Sequence, residues 1–482
     1  MEPTKPKRLT RRGWYALLVL AVSAVTHFVL YGYPAQVVFD EVHFGAFASA
    51  YLTHQYFFDI HPPFAKLLIA LAGWVTGFVP TFSFATIGMA YPNAGYLALR
   101  FLPTLAGMLL PLVVYFIVAE LGCDDIIALL MGLMFALENS LIVESRFILT
   151  DSILLLMGFL SIYFFLRYWN RSTSHEHGGQ KQSWRNLFAA GIFAALASST
   201  KWVGLAYLGL IGLFFLFKWL LDRPFHWRKK LKVLGIGVVA LLVVPAAIYT
   251  SLFAIHFAVL NKSGTGDAFQ TPAFQETLAG SAYAWDTSVA PLGFWGKFFE
   301  LNHTMYTANQ ENLVDPYSSK WYEWPFMNKP VLYWTEAFPS GAEGVLYFVG
   351  NPVLWALGFA AIVLGVIVAT WFWIRRGVVA FARSKLAFVI VGYFASLVPL
   401  AFIGRILFLY HYSPAFIFSL LAFALGLQWM WTRFGKKNRR RAWITLLAVT
   451  FAAFLIIAPF TYGTAVSRSY LHFFAPLLHD TW

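Results

Sequence analysis

Long apolar runs separated by short polar stretches set the pattern of this chain. Runs of roughly 18–25 residues recur, the length a helix needs to cross the hydrocarbon of a bilayer. They predict eleven spans, at about 14–31, 95–119, 126–143, 150–168, 187–200, 202–221, 233–256, 343–374, 386–403, 406–431 and 442–460. The first, Trp14 to Tyr31, is too long for a signal-peptide core and no small-x-small cleavage site follows, so it reads as a retained span. Phe64–Pro80 is apolar but short and bounded by proline, which suits a helix lying in the interface. The fold class is therefore an all-α integral membrane protein. Its expected parts are 1–256, with a first outer loop at 35–94; a long outer loop at 257–342; and a four-span module at 343–482.

Composition agrees: 59% of the 482 residues are hydrophobic, 12% are charged, and 49 Phe, 23 Tyr and 19 Trp are present. The net charge of +13 is not a nucleic-acid signature, because 25 of the 35 Lys and Arg fall in five clusters between spans. Those clusters (1–12, 167–185, 218–232, 375–385 and 433–441) all come to one side of the membrane when eleven spans are counted from a cytoplasmic N-terminus. The C-terminus and both long loops then share the outer face. The lone Cys123 excludes an intrachain disulfide. The run from His175 to Gly179 reads as a linker rather than a metal site, and no GxxxxGK[ST] phosphate loop is present.

Against that background one stretch stands out. Phe39 to Lys66, FDEVHFGAFASAYLTHQYFFDIHPPFAK, gathers Asp40, Glu41, His43, Asp59, His61 and Lys66 just beyond the first span. Ionisable groups are costly beside a membrane and mark functional sites. Asp40 and Glu41 can serve as a base if their surroundings raise their basicity, or can simply begin a helix. His61-Pro62-Pro63 forms a rigid turn. Asp151 opens a span and also has a capping reading. Together Asp40, Glu41, His43 and Asp151 could hold a divalent metal, although no spacing demands it. Four of the ten Lys and Arg outside the clusters, Arg100, Arg146, Lys201 and Arg405, fall at outer ends of spans, where a shared anion such as a lipid-linked phosphate explains them.

The stretch 39–71 resembles the first outer loop of the protein O-mannosyltransferases, which use dolichyl-phosphate-mannose. ALRFLPTLAG (98–107), ESRFILTDSILL (144–155), STKWVGL (199–205), DPYSSKWYEWPF (315–326), GNPVLWALG (350–358) and RILFLYHYSPAF (405–416) resemble motifs of that family in the same order. The resemblance implies a GT-C type membrane glycosyltransferase that inverts the sugar linkage. It makes Asp40 the expected base with Glu41 as its partner, and Arg100, Arg146, Lys201, Arg405 and His411 the expected phosphate ligands. His43, Asp59, His61, Asp151, Tyr317, Trp321, Glu323 and Trp324 are then expected to line the sugar or acceptor pocket. No cofactor or metal is expected. One departure is clear: residues 257–342 are too few for the β-trefoil MIR domain of eukaryotic members, which favours a bacterial plasma membrane over the endoplasmic reticulum.

The expected activity is transfer of mannose from a polyprenyl phosphate to Ser or Thr of a protein on the extracytoplasmic face. A lipid or glycan acceptor is the alternative. A transporter of lipid-linked sugars is a third reading, disfavoured because the polar residues gather at one membrane face. Expected partners are the bilayer, polyprenyl-phosphate-mannose and an acceptor protein or peptide, with a dimer left open and nucleic acid excluded.

Overall fold

A computed structural model describes residues 10–172, 179–221, 226–310, 315 and 317–478. The segment 175–178, expected to be a linker, lies outside the described residues. The first half of the chain contains α1 (Arg11–Phe28), α2 (Glu41–Thr53), α3 (Phe64–Thr76), α4 (Tyr96–Glu120), α5 (Asp125–Phe135), α6 (Asn139–Ser145), α7 (Asp151–Ser172), α8 (Gly179–Ser198) and α9 (Leu205–Leu221). Then come α10 (Trp227–Val238) and α11 (Val244–Val259), fused through a π-helical turn, and α12 (Pro272–Gln275) and α13 (Phe294–Ala308). A hairpin of β1 (Val331–Ala337) and β2 (Glu343–Phe348) follows, and α14 (Pro352–Ala382), α15 (Lys385–Leu397), α16 (Ser413–Trp431), α17 (Lys436–Tyr462) and α18 (Arg468–Leu478) complete the chain.

Among the described residues eight helices are long and apolar enough to cross a membrane, and the bent pair α5–α6 makes a ninth. The other two expected spans are α1, which opens on Arg11 and Arg12, and α8. The 59° break between α5 and α6 is pinned from inside. Glu138, fully buried at the break, accepts from Ser140 and from the backbone N–H of Asn351, the residue that caps α14. Apolar side chains on α14 and α17, such as Ile367, Ile374 and Ile456, point outward with more than half their surface uncovered, as lipid-facing positions require.

Two expectations need correction. The span expected at 343–374 begins later, because 343–348 is β2, and Asn351 starts the helix by accepting from the N–H of Val353. The hairpin therefore straddles the boundary expected at 342–343. The non-spanning region 257–342 holds α12, α13 and β1.

The bundle has two chemically distinct ends. At one, Arg12 pairs with Asp125 at 2.7 Å, and Lys385 donates to Asn170, which in turn donates to Glu120. At the other, residues 29–41, 88–100, 144–151, 199–201 and 405–412 contact one another, and Phe39 and Glu144 tie them to the hairpin at Tyr333.

Candidate active site

The segment before α2 is held by its neighbours on both sides. The N–H of Val37 donates to Met89, and that of Phe39 to Tyr333 at 3.1 Å. Phe39 adopts a left-handed backbone (φ 46°), a strained state for a non-glycine residue that surrounding contacts must enforce. Its ring stacks on Tyr333 at 4.1 Å and meets Phe408 and Tyr410 edge-on. This twist sends the adjacent acids to opposite fates.

Glu41 turns into the core and is fully buried. Its carboxylate takes a two-pronged bond from Arg100, at 2.7 and 2.8 Å, and accepts from the N–H groups of Val38 and Ile148 and the hydroxyl of Tyr91. Arg100 gives two further N–H groups to the carbonyls of Pro34 and Gln36 and has no exposed surface. Arg146 is equally buried, donating to the carbonyls of Thr461 and Leu30 with its guanidinium over the Tyr462 ring. The expected role of Arg100 and Arg146 as phosphate ligands is therefore corrected: both guanidinium groups tie loops together. Glu41 likewise anchors the loop, so the structure separates it from Asp40 as a catalytic partner.

Asp40 occupies the position before α2 without capping it, so its capping reading is also set aside. Among the described residues nothing hydrogen-bonds or ion-pairs with its carboxylate, which remains partly exposed. Crowding by surrounding atoms raises its pKa above the usual carboxylate value; His43 and Lys201 oppose this, while Asp151 and Asp59 add to it. Each of those acids is otherwise engaged. Asp151, at the start of α7, pairs with Lys201 at 2.5 Å, and Asp59 pairs with Lys66. Lys66 also donates to the carbonyl of His61, so the pair shapes the His-Pro-Pro turn. The metal alternative is divided in the same way, with Glu41 committed to Arg100 and Asp151 to Lys201. Among the described residues no group of three or more His, Cys, Asp or Glu is placed to hold a metal ion.

Cations share this neighbourhood: Lys201 acts on Asp40, and Arg405 and Asp40 both act on Tyr410. Burial, then the neighbouring charges of Lys201, Arg405 and Lys66, drive the pKa of His61 well below its ordinary value, leaving a neutral imidazole. Arg405 has no carboxylate partner among the described residues. Its Nε is buried without a hydrogen bond, and Nη2 lies 3.5 Å from Nε2 of His411. His411 stacks against Trp324, a fully buried ring whose indole N–H donates to Ser319. Ser319 in turn donates its backbone N–H to Leu407, fastening the 315–326 tract to the segment that carries Arg405. Between them opens a cleft of about 540 Å³ lined by Arg405, Lys320, Lys329, Trp321 and Glu323. Tyr317 belongs to the same tract without lining the cleft, and Trp324 sits behind it. His43 is exposed and stacked on Phe47.

Sequence reasoning passed over Glu144 and Tyr333. Glu144 is buried near Asp40 and Asp151 and accepts the hydroxyl of Tyr333, the residue that carries Phe39. The signal was present: Glu144 is a lone acid at the edge of an apolar run.

Residues 17–261 match the profile of the dolichyl-phosphate-mannose-protein mannosyltransferase family, and 294–479 match the C-terminal four-transmembrane region of protein-O-mannosyltransferase. Dolichyl-phosphate-mannose–protein mannosyltransferase 4 of Candida albicans is 37% identical over 276 residues, covering 55% of this chain and 36% of that protein. Protein O-mannosyl-transferase 1 of Danio rerio is 35% identical over 272 residues, 55% of this chain and 37% of its own. The matched region thus spans well under half the length of these relatives. The S. cerevisiae protein O-mannosyltransferase Pmt1-Pmt2 complex bound to the sugar donor superposes with a TM-score of 0.87 over 97% of this chain and 92% of that one, at 22% identity. The Archaeoglobus fulgidus oligosaccharyltransferase gives 0.55 over 95% and 56%, at 14% identity. At these identities the likeness is one of fold, the GT-C type. With more than half of its length matched by the first profile, the chain belongs to the dolichyl-phosphate-mannose–protein mannosyltransferase family.

Proposed function

We propose that this protein transfers mannose from a polyprenyl phosphate to a Ser or Thr hydroxyl of a protein acceptor, with inversion at the sugar carbon. The observation that carries the reading is the Asp40 carboxylate, without a partner among the described residues, amid paired acids and in the same neighbourhood as Lys201 and Arg405. Asp40 takes the proton of the acceptor hydroxyl. The freed oxygen attacks the anomeric carbon from the side opposite the phosphate, the bond from that carbon to the phosphate oxygen breaks, and the β linkage becomes α. Charge then builds on the departing phosphate. Arg405, with its unused donors, and Lys201 stabilise it there, while His61 and His411, both held neutral by burial and the neighbouring cations, line the site without a further full charge. The raised basicity of Asp40 suits a general base better than an ordinary carboxylate would.

Trp321 and Glu323 are the cleft residues we assign to sugar or acceptor contact. His43, beside Asp40, fits the acceptor side; Asp59 and Asp151 act through Lys66 and Lys201; and Tyr317 and Trp324 support the cleft wall. No step calls for a cofactor or metal. The site opens on the extracytoplasmic side if the basic end is cytoplasmic. The relatives named come from Candida albicans and Danio rerio, so they lend no support to a bacterial membrane. The Pmt1-Pmt2 complex makes pairing with a second family member the assembly to look for.

The test uses purified protein in detergent, radiolabelled polyprenyl-phosphate-mannose and Ser/Thr-rich peptides, comparing wild type with Asp40→Asn. Label on peptide hydroxyls with wild type alone, at donor affinity equal within a few-fold, supports the reading. Donor bound by both proteins with no label on any peptide would move the acceptor to a lipid or glycan. Lost donor binding in Asp40→Asn would make Asp40 structural.

A further inference from the structure

Helix α13 has two unlike faces. One is packed: Phe294 meets Phe257, Phe298 meets Phe253, and Asn302 accepts the hydroxyl of Tyr249 at 2.6 Å. Leu301 and Met305 are buried on the same side. The other presents Trp295, Phe299 and Tyr306, which are 58%, 64% and 57% exposed. Their spacing of four and seven residues lines them up on a single stripe.

The stripe's height relative to the bilayer follows from the helix it packs on. Trp227–Val259 is 33 residues long. At 1.5 Å per residue that is about 50 Å, against about 30 Å of hydrocarbon. Counting from Val233, just past the basic run Arg228–Lys232, Tyr249 lies roughly 24 Å along and the far boundary of the hydrocarbon falls near Phe253. Trp202, beside the first turn of α9, donates its indole N–H to the Tyr249 hydroxyl, so a second span ends at the same level. The segment from Phe253 to Phe257 therefore enters the headgroup layer. α13 runs beside it in the opposite direction over about 12 Å. The uncovered apolar face of the span continues past this level, since Ile255 is 49% exposed.

We infer that the Trp295–Phe299–Tyr306 stripe docks into the outer lipid leaflet on the site's side of the membrane, with Tyr306 deepest, below the headgroups, Phe299 near the hydrocarbon boundary and Trp295 in the headgroup layer. Aromatic rings with polar handles favour that layer, and the lipid-facing surface of the neighbouring span leads directly onto it. The helix ends beside the active site, where Asn309 donates to the carbonyl of Ile60, the residue before His61. A stripe seated in that leaflet thus fixes the height of the His-Pro-Pro turn relative to lipid phosphates. The inference rests on the membrane reading and not on the proposed chemistry.

Single cysteines at 295, 299 and 306 test it, made in the full chain, where the lone native Cys123 is buried. Each carries a nitroxide label in nanodiscs, and relaxation by oxygen is compared with relaxation by a water-soluble nickel chelate. The expected oxygen-to-nickel ratio falls in the order 306, 299, 295, with 306 several-fold above a soluble nitroxide. Water-like ratios at all three positions overturn the inference. Shielding that grows with protein-to-lipid ratio would instead assign the stripe to a second copy, and shielding that needs added Ser/Thr-rich peptide would assign it to the acceptor; either result also overturns it.

Discussion

The sharpest division drawn by the structure is between Arg100, locked to Glu41, and Arg405, left without a carboxylate. It can be tested by replacing Arg100 with Met and Glu41 with Gln, singly and together. The two side chains share two charge-assisted bonds of 2.7 and 2.8 Å and neither has exposed surface. Removing one partner of such a pair leaves a buried charge uncompensated, at a cost of about 3–5 kcal/mol. Each single variant should therefore unfold well below wild type. The double variant buries no isolated charge and should lose less than the sum of the singles, with a coupling of about 2–3 kcal/mol. Unfolding in detergent followed by near-ultraviolet circular dichroism reads stability, and binding of labelled polyprenyl-phosphate-mannose to the folded fraction reads the site. One pattern refutes the assignment: Arg100→Met with wild-type stability, donor affinity tenfold weaker or worse, and no coupling to Glu41. That result would return Arg100 to the phosphate.

Arg405→Ala should show the opposite pattern, with donor affinity at least tenfold weaker and unfolding close to wild type; unchanged affinity in equilibrium binding removes it from the phosphate site. Tyr333→Phe keeps the ring beneath Phe39 but loses the hydroxyl given to Glu144. It should lower kcat several-fold with little change in donor KM, and Tyr333→Ala, which loses the stack as well, should fall further; equal effects on kcat and KM in both would make Tyr333 merely structural. Because Asp40 must be ionised to act and burial raises its pKa, activity should fall as pH drops through a midpoint above the ordinary carboxylate value of about 3.9. A pH–rate profile checks this, and an acid limb at or below that value counts against Asp40 as the base.

Much of this was legible in the sequence because membrane insertion constrains composition so strongly. A span must be apolar over its whole length, so the helices announce themselves, and each ionisable residue near one is conspicuous. That is why the stretch 39–66 and the cations at 100, 146, 201 and 405 could be singled out. Residues 343–348 misled for a related reason. An exposed strand shows alternation, but five of the six β2 residues are buried, so its sequence reads as a continuous apolar run that merges with α14.

What the sequence withheld was direction. Arg100, Arg146 and Arg405 are alike in being cations at the outer ends of spans, and no local pattern tells which guanidinium faces a cavity. Arg100 turns inward because Glu41, 59 positions earlier in the chain, arrives beside it with a carboxylate that must be satisfied. Arg146 turns inward because the loop at Leu30 and the end of α17 at Thr461 bring carbonyls that need donors. Arg405 has no carboxylate partner among the described residues: Glu323, in the same cleft, accepts instead from the N–H of Lys320, and Asp151 is taken by Lys201. The same accounting isolates Asp40 among the described residues: Asp59 and Asp151 have lysines, Glu144 has the Tyr333 hydroxyl, and Asp40 has neither. In a low-dielectric fold an unsatisfied charge is expensive to keep, so Asp40, whose carboxylate has no partner among the described residues, and Arg405, which has neither a carboxylate nor a backbone carbonyl there, are where a substrate with a proton to give and a phosphate to hold would complete the pairing.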